Sequence, residues 1–492
     1  RRESCRGAAA GGSRGGPRVV ALSSRPMREP ERREILQPVD PTRGEPLEAV
    51  SASTASEVAA AASRARAAQR AWAALGIDGR IAALEGFAAR LAEPAVEAAL
   101  AGQVTAEMGK PIREARAEVR NVGRRLAAFA ERARLAVADE VGREGGIEVR
   151  VRWRPHGVVA VIAPWNYPVA TPSNLLLSAL LTGNTTVLKP SEITPRTGAL
   201  LHQLLAEALP AGVCELVQGG GRVGAALAAA DVEVIAFTGS IATGQAIYRA
   251  AAEGVKRLVL ELGGKDPMII LRGADLEAAA RYAAVESIRN SGQACVSVER
   301  VIVERSIAAA LTARVVELVR ELRVGDPWDE RTEVGPMATA AQRERVLVQL
   351  EDARARGAEI LLGGEPHSPG FFLTPAVVTG VTSEMLLARE ETFGPVVSIE
   401  LAEDAEHALA LANGTFYGLG ASLWGPPGPA LDALAERLEA GMVGVNRGLS
   451  TAAGAPWVGW KRSGLGYTRS VAGMRSFLQP QSIARSTTET RA

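Results

Sequence analysis

The residues able to do chemistry stand where apolar runs end. Cys295 follows Gly292-Gln293-Ala294. A cysteine thiolate attacks carbonyl carbon readily, and a glycine just ahead of it permits close backbone approach. A lone cysteine is more often a small buried hydrophobe. That plainer reading suits Cys214, in an apolar run after Pro210-Ala211-Gly212, better than Cys295, whose flanks are polar. Glu261 follows Leu258-Val259-Leu260, Asn166 lies just past Val161-Ile162, and Thr238-Gly239-Ser240 follows Ala236-Phe237. Taken singly, Glu261 is an ordinary strand-end carboxylate and Asn166 a turn residue beside a proline. Gly239-Ser240 opens a helix after a strand, and the unpaired amides of such a helix start suit a pyrophosphate. The four histidines are scattered and no CxxC occurs, so no metal site is legible.

These residues need a scaffold, and the composition provides for one. The 492 residues are 47% hydrophobic, enough for two or three domains with large cores and no disulfide framework. The three cysteines suit a reducing compartment, hence a cytoplasmic location. A net charge of +1 gives no footprint for nucleic acid or an anionic membrane. Residues 1–27 are basic and nearly free of acids; they read either as a transit-like leader or as an upstream extension before Met27, disordered in both cases. Thr54 and Glu57 form a capping box ahead of an Ala-rich helical region, broken at 76–79 and resumed toward residue 140. Residues 145–154 alternate apolar and charged, as an exposed ribbon or a subunit edge would. From 157 to 272, short β-branched runs alternate with helical stretches, the pattern of a doubly wound parallel sheet, and 268–445 repeats it. The expectation is an α/β fold with two doubly wound parallel-sheet domains and a small β arm.

The residues after the runs form a series: Ala163-Pro164-Trp165-Asn166-Tyr167-Pro168, Lys189-Pro190-Ser191-Glu192, Thr238-Gly239-Ser240, Glu261-Leu262-Gly263-Gly264-Lys265, Gly292-Gln293-Ala294-Cys295 and Glu390-Glu391-Thr392-Phe393-Gly394-Pro395. Together, in this order, they resemble the aldehyde dehydrogenase superfamily over about residues 40–480. The resemblance implies an NAD(P)-binding domain from 28–139 and 156–262, a catalytic domain from 263–470, and an oligomerisation arm and tail from 140–155 and 471–492. A homodimer or homotetramer is expected with it.

The same resemblance implies roles. Cys295 would be the nucleophile, Asn166 the oxyanion donor together with the Cys295 backbone N–H, and Glu261 the general base that hydrolyses a thioester. Lys189 and Glu192 match residues that hold the adenine ribose. A carboxylate there favours NAD and would repel the 2′-phosphate of NADP, though Lys189 could pair with that phosphate. Trp165, Ser191, Gly239 and Ser240 are assigned to the cofactor with them. Glu391 resembles the residue that holds the nicotinamide ribose, and Phe393 the one packing beside it. Around the nucleophile, Arg289-Asn290-Ser291-Gly292-Gln293-Ala294-Cys295 looks like succinate-semialdehyde dehydrogenases, in which an arginine meets the substrate carboxylate. The plainer reading makes Arg289 a helix residue in a salt bridge, and Asn174 stands where those enzymes often carry a second arginine. Near the C-terminus, Pro456-Trp457-Val458-Gly459-Trp460-Lys461 departs from the family's usual Pro-Phe-Gly-Gly pattern; its two tryptophans point to a reshaped substrate mouth. Two rival classes remain. A coenzyme-A-acylating enzyme would generally lack Glu261, and a retired NAD-binding structural protein would have lost Cys295, Asn166 or Glu261.

Overall fold

Apolar runs without polar alternation become strands covered on both faces. A computed structural model of the chain describes residues 33–449 and 452–487. The extension expected over 1–27 and the last residues of the tail lie outside the described residues. Val158–Ile162, Thr185–Lys189, Cys214–Leu216, Val234–Thr238 and Arg257–Glu261 are parallel strands of one sheet. Val158, Ala160 and Ile162 pack with the helices Ala55–Ala74, Gly221–Ala229 and Ile241–Glu253. Val159 and Val161 pack the opposite way, with Gly76–Ala92, Ile112–Val137, Ala170–Leu181 and Pro195–Ala208.

Strand order in this sheet reverses beside Val158–Ile162. Thr185–Lys189 and Cys214–Leu216 extend from one side, Val234–Thr238 and Arg257–Glu261 from the other. Loops leaving the carboxyl ends of strands diverge at such a reversal and open a crevice. Those loops are 163–166 and 239–240, so the topology itself delivers Trp165, Asn166, Gly239 and Ser240 to one place.

The second sheet runs Glu359–Leu362, Ala376–Thr379, Val396–Ala402, Arg300–Glu304, Pro267–Ile270, Gly420–Trp424, Met442–Val445. It is parallel except for the Glu359–Leu362 edge. Arg300 and Glu400, on neighbouring strands, form a buried bidentate pair at 2.7 and 3.1 Å, and Arg300 also donates to the Leu411 carbonyl at 2.8 Å. The first sheet is not made from one block of sequence alone: Gly464–Leu465, from the stretch expected in the second domain, adds antiparallel to the Arg257–Glu261 edge.

The helical region is more divided than its composition suggests. Four helices run Ala55–Ala74, Gly76–Ala92, Pro94–Met108 and Ile112–Val137. The extra breaks come at Pro94, which opens a helix, and at left-handed Gly109 followed by Pro111. The Thr54 capping box is formed, with Thr54 N–H on the Glu57 carboxylate at 2.8 Å and Glu57 N–H on Thr54 Oγ1 at 3.2 Å. The arm is a three-stranded antiparallel sheet of Glu140–Glu144, Ile147–Pro155 and Leu478–Ser486. Residues 471–475, placed with the arm by sequence, are a short helix instead, with Met474 in the core against Ile112–Val137. Among the described residues no helix is long and apolar enough to cross a membrane.

Removing one partner of a buried ion pair strands the other charge. Glu400→Ala should therefore lower stability by about 3–5 kcal/mol, read as a fall in the urea midpoint. An unchanged midpoint would show that the pair contributes nothing.

Candidate active site

Cys295 is presented by a left-handed turn. Helix Leu276–Ile288 ends, and Asn290, Ser291 and Gly292 follow with φ of 56°, 56° and 70°. A Cβ on Gly292 would lie 2.0 Å from the Gly394 carbonyl oxygen, so only glycine fits. Side chains then stitch the turn in place. Ser291 Oγ donates to Gly335 O at 2.8 Å, Gln293 Oε1 accepts from Ala338 N–H at 2.9 Å, and Asn290 Nδ2 donates to Asn166 O at 3.1 Å. Cys295 emerges half-buried in a cleft of about 850 Å³.

Asn166 reaches the same cleft from the first sheet. Its Nδ2 donates to Gln293 O at 3.1 Å, which leaves its second amide hydrogen for a ligand. The Cys295 N–H has no acceptor among the described residues, so two donors are available beside the sulfur. Asn166 is held from behind by a device the sequence reading missed. Lys110, fully buried, is ion-paired with Glu118, donates to Asn166 O at 2.8 Å and sits 3.8 Å from the Tyr167 ring centre. Glu118 in turn accepts from Val169 and Ala170 N–H at 2.9 Å each, where the next helix begins.

Glu261 ends its strand facing the cleft. Thr468 Oγ1 donates to Oε1 at 2.6 Å, and Thr238 Oγ1 approaches Oε2 at 3.5 Å. Burial raises its carboxyl above the ordinary value, against the opposing Arg469 charge and the two threonine hydroxyls. The Cys295 thiol is pushed up to about 12, by burial first and then by the Glu261, Asp266 and Glu391 carboxylates. The buried Cys214 is also pushed up to about 12. The two cysteines differ in surroundings, since only Cys295 has a base, amide donors and space beside it.

The 391–393 loop forms the facing wall. Glu391 accepts from Gly264 N–H at 3.0 Å, and Phe393 meets Trp165 edge to face, centres 5.4 Å apart. A second buried pair, also missed by sequence, fixes this loop: Lys265 Nζ donates to Glu299 at 2.6 Å, and Glu299 accepts from Thr392 and Phe393 N–H at 2.8 and 2.9 Å. Both missed lysines follow glycine in irregular segments, which gives no pairing signal. Gln342 completes the brace by donating to the Thr392 and Phe393 carbonyls at 3.0 and 3.1 Å.

The cleft thus gathers Cys295, Glu261, Asn166, Trp165, Gly239, Ser240, Glu391, Phe393 and Arg289. Lys189, Ser191 and Glu192 lie beyond its lining, at the end of the adjoining strand. Lys189 Nζ is buried against the Pro190 and Gly219 carbonyls, with the half-exposed Glu192 carboxylate 3.7 Å away. Ser191 Oγ accepts from Ile193 N–H at 3.2 Å and closes the turn there. Ser240 caps helix Ile241–Glu253, whose Ile241 and Ala242 N–H groups have no acceptor among the described residues. These donors fit a pyrophosphate, and the wall of Trp165, Phe393 and Glu391 fits a ribose and a flat ring next to the sulfur. Of the two tryptophans expected at the mouth, Trp457 lines the cleft. Trp460 does not: it lies past the end of the Trp457–Val458 strand and is exposed, with its backbone N–H on Gly418 O at 2.8 Å.

Sequence and fold have close counterparts. The sequence pattern of the aldehyde dehydrogenase family matches residues 27–483. The succinate-semialdehyde dehydrogenase (NADP(+)) of Mycolicibacterium paratuberculosis is 34% identical over 390 residues, covering 78% of this chain and 83% of the relative. The betaine aldehyde dehydrogenase of Cereibacter sphaeroides is 36% identical over 465 residues, covering 94% and 96%. The crystal structure of the NAD-dependent aldehyde dehydrogenase from Sinorhizobium meliloti superposes with a TM-score of 0.89 at 35% identity, covering 93% of both chains. The chain belongs to the aldehyde dehydrogenase family. It is an enzyme, an NAD(P)-dependent oxidoreductase of aldehydes.

Glu391 keeps its proton to about pH 8 in the fold, against an ordinary value of 4.5, because burial and the Glu299 charge oppose ionisation. Unfolding releases that proton, so the carboxyl's contribution to stability is whole below about pH 4.5 and lost as pH rises through about 8. Glu391→Gln cannot ionise. Its melting temperature relative to the parent should therefore climb as pH rises through that window; a difference that stays flat in thermal melts would contradict the burial account.

Proposed function

We propose that the enzyme oxidises an aldehyde to a free carboxylic acid through a thioester on Cys295. The observation that supports this best is the convergence of the Cys295 sulfur, the Asn166 amide and the Glu261 carboxylate on one cleft whose far wall suits a nicotinamide ring. When bound, the nicotinamide cofactor supplies the hydride acceptor.

The protein's own groups do the rest. Glu261 takes the Cys295 thiol proton; its raised affinity for protons brings it closer to the pH at which a base works best. The sulfur adds to the aldehyde carbon, and the negative oxygen is received by the Asn166 amide and the Cys295 N–H. Loss of hydride from that carbon leaves an acyl thioester on Cys295. Glu261, having passed the first proton to solvent, accepts a second from water, whose oxygen attacks the thioester; the carbon–sulfur bond breaks, the acid is released and the proton on Glu261 returns to the sulfur. Glu261 favours water over coenzyme A as the acyl acceptor.

For the cofactor we propose NAD in preference to NADP, because the Glu192 carboxylate beside Lys189 would accept from a ribose hydroxyl and repel a phosphate. For the substrate we propose an anionic semialdehyde such as succinate semialdehyde, supported by the arginines of the cleft and by the similarity to a succinate-semialdehyde dehydrogenase. The arm, with the exposed Glu140–Glu144 edge, supports a homodimer or homotetramer. The free thiol chemistry supports the cytoplasm.

Cys295→Ala should abolish oxidation while cofactor affinity stays nearly unchanged. Glu261→Gln should slow steady turnover by about 10²–10⁴-fold and slow the first turnover as well, seen by stopped flow as loss of a rapid phase of reduced cofactor. Appreciable turnover by verified Cys295→Ala protein would remove the nucleophile. Acyl-CoA formation on adding coenzyme A would overturn hydrolysis.

A further inference from the structure

Arg289, the arginine that sequence resemblance assigns to a substrate anion, is already engaged. It lines the cleft, but its guanidinium donates to Glu286 at 2.6 and 3.1 Å and to the Tyr167 hydroxyl at 3.0 Å. Its charge is balanced before any ligand arrives.

A different arginine is not engaged in this way. Arg469 lines the same cleft, half-buried, immediately after the Thr468 that holds Glu261. Its Nε is buried and has no hydrogen-bond partner among the described residues, and no carboxylate pairs with its guanidinium among them. The Trp457 ring lies 4.1 Å from the guanidinium carbon. Stacking of that kind covers one face and leaves the edge donors available. The residue also carries a φ of 64°, a left-handed conformation that costs a long side chain energy and is kept where something else depends on it. Arg125 and Arg132, two turns apart on one face of helix Ile112–Val137, line the cleft as well and have no ion-pair partner among the described residues. Burial pulls the Arg469 pKa down to about 10 against the raising effect of the Glu261 carboxylate, and Arg125 and Arg132 add to the lowering.

We propose that Arg469, flanked by Arg125 and Arg132, and not Arg289, reads a carboxylate at the end of the aldehyde substrate remote from its carbonyl. The planar fork of arginine binds a carboxylate through two parallel bonds, which specifies both its charge and its orientation. The proposal rests on the oxidation reading for the aldehyde end of the ligand; the anion subsite stands on its own geometry. Trp457 holds the guanidinium against the cleft wall, and the strand pairing of Trp457 with Thr468 fixes that stacking.

The test compares succinic semialdehyde with butanal, a neutral aldehyde of the same chain length, and adds calorimetric titration of succinate as a probe that needs no turnover. Arg469→Gln should lose succinate binding and raise KM for succinic semialdehyde by about ten- to hundredfold, the worth of a hydrogen-bonded charge, while butanal shows only the smaller loss that comes from removing a cation beside Glu261 and Cys295. Arg469→Lys should recover part of the affinity, and Arg289→Gln should affect the two aldehydes alike. An equal loss for both aldehydes in Arg469→Gln, with succinate still bound, would assign Arg469 to tuning of Glu261 and Cys295 and overturn the proposal. So would unchanged kinetics with both. If the parent protein oxidised no aldehyde yet bound succinate through Arg469, the subsite would stand and the oxidation reading would fall. If melting curves show that Arg469→Gln fails to fold, Trp457→Leu replaces it, with the same selective loss expected for succinic semialdehyde; an equal loss for butanal overturns the proposal.

Discussion

No side-chain atom fits between Gly292 and the Gly394 carbonyl, and the working parts are arranged around that contact. It presses the turn that carries Cys295 against the loop that carries Glu391 and Phe393. The spacing between Cys295 and the 391–393 wall is therefore set where backbone meets backbone, in an interior of low compressibility. The two buried lysine–glutamate pairs act on either side of it. Lys110 and Glu118 hold the Asn166 loop, while Lys265 and Glu299 hold the 391–393 loop. Each pair makes further hydrogen bonds to backbone, the condition under which buried charge is tolerable.

The electrostatics of the cleft follow from its dryness. Glu261, Asp266 and Glu391 are all shifted toward the neutral form, with burial the largest cause in each. The sulfur they surround resists ionisation for the same reason. A resting thiol is protected from stray electrophiles and oxidants, since the thiolate is the reactive form. Positive charge next to the sulfur would reverse the balance, and Arg469 is a cation whose field lowers both the Glu261 carboxyl and the Cys295 thiol.

Much of this was legible in the residues. Runs such as Val158–Ile162 and Val234–Thr238 announced strands buried on both faces, and the polar residues beyond them announced the crevice. Glu261 and Asn166 meet because topology brings the strand ends of such a sheet together, and Cys295 reaches them on the turn that follows helix Leu276–Ile288. What stayed hidden depends on contacts distant in sequence. Lys110 looks like any lysine until Glu118 and Asn166 O surround it, and Arg289 looks available until Glu286 and Tyr167 are placed beside it. Helix breaks at Pro94 and Gly109 were written in residue types but masked by a uniformly helix-favouring composition. Trp460 and Trp457 are indistinguishable as sequence; only the turn between them sends one outward.

The Gly464–Leu465 strand has a mechanical meaning. It belongs to the segment that carries Trp457, Thr468 and Arg469, yet it is hydrogen-bonded to the edge that ends in Glu261. Pulling the walls apart would unzip a sheet, so hinge-like gaping is a costly route in or out. Ligands would then enter and leave past the rim of the cleft and not through parted walls.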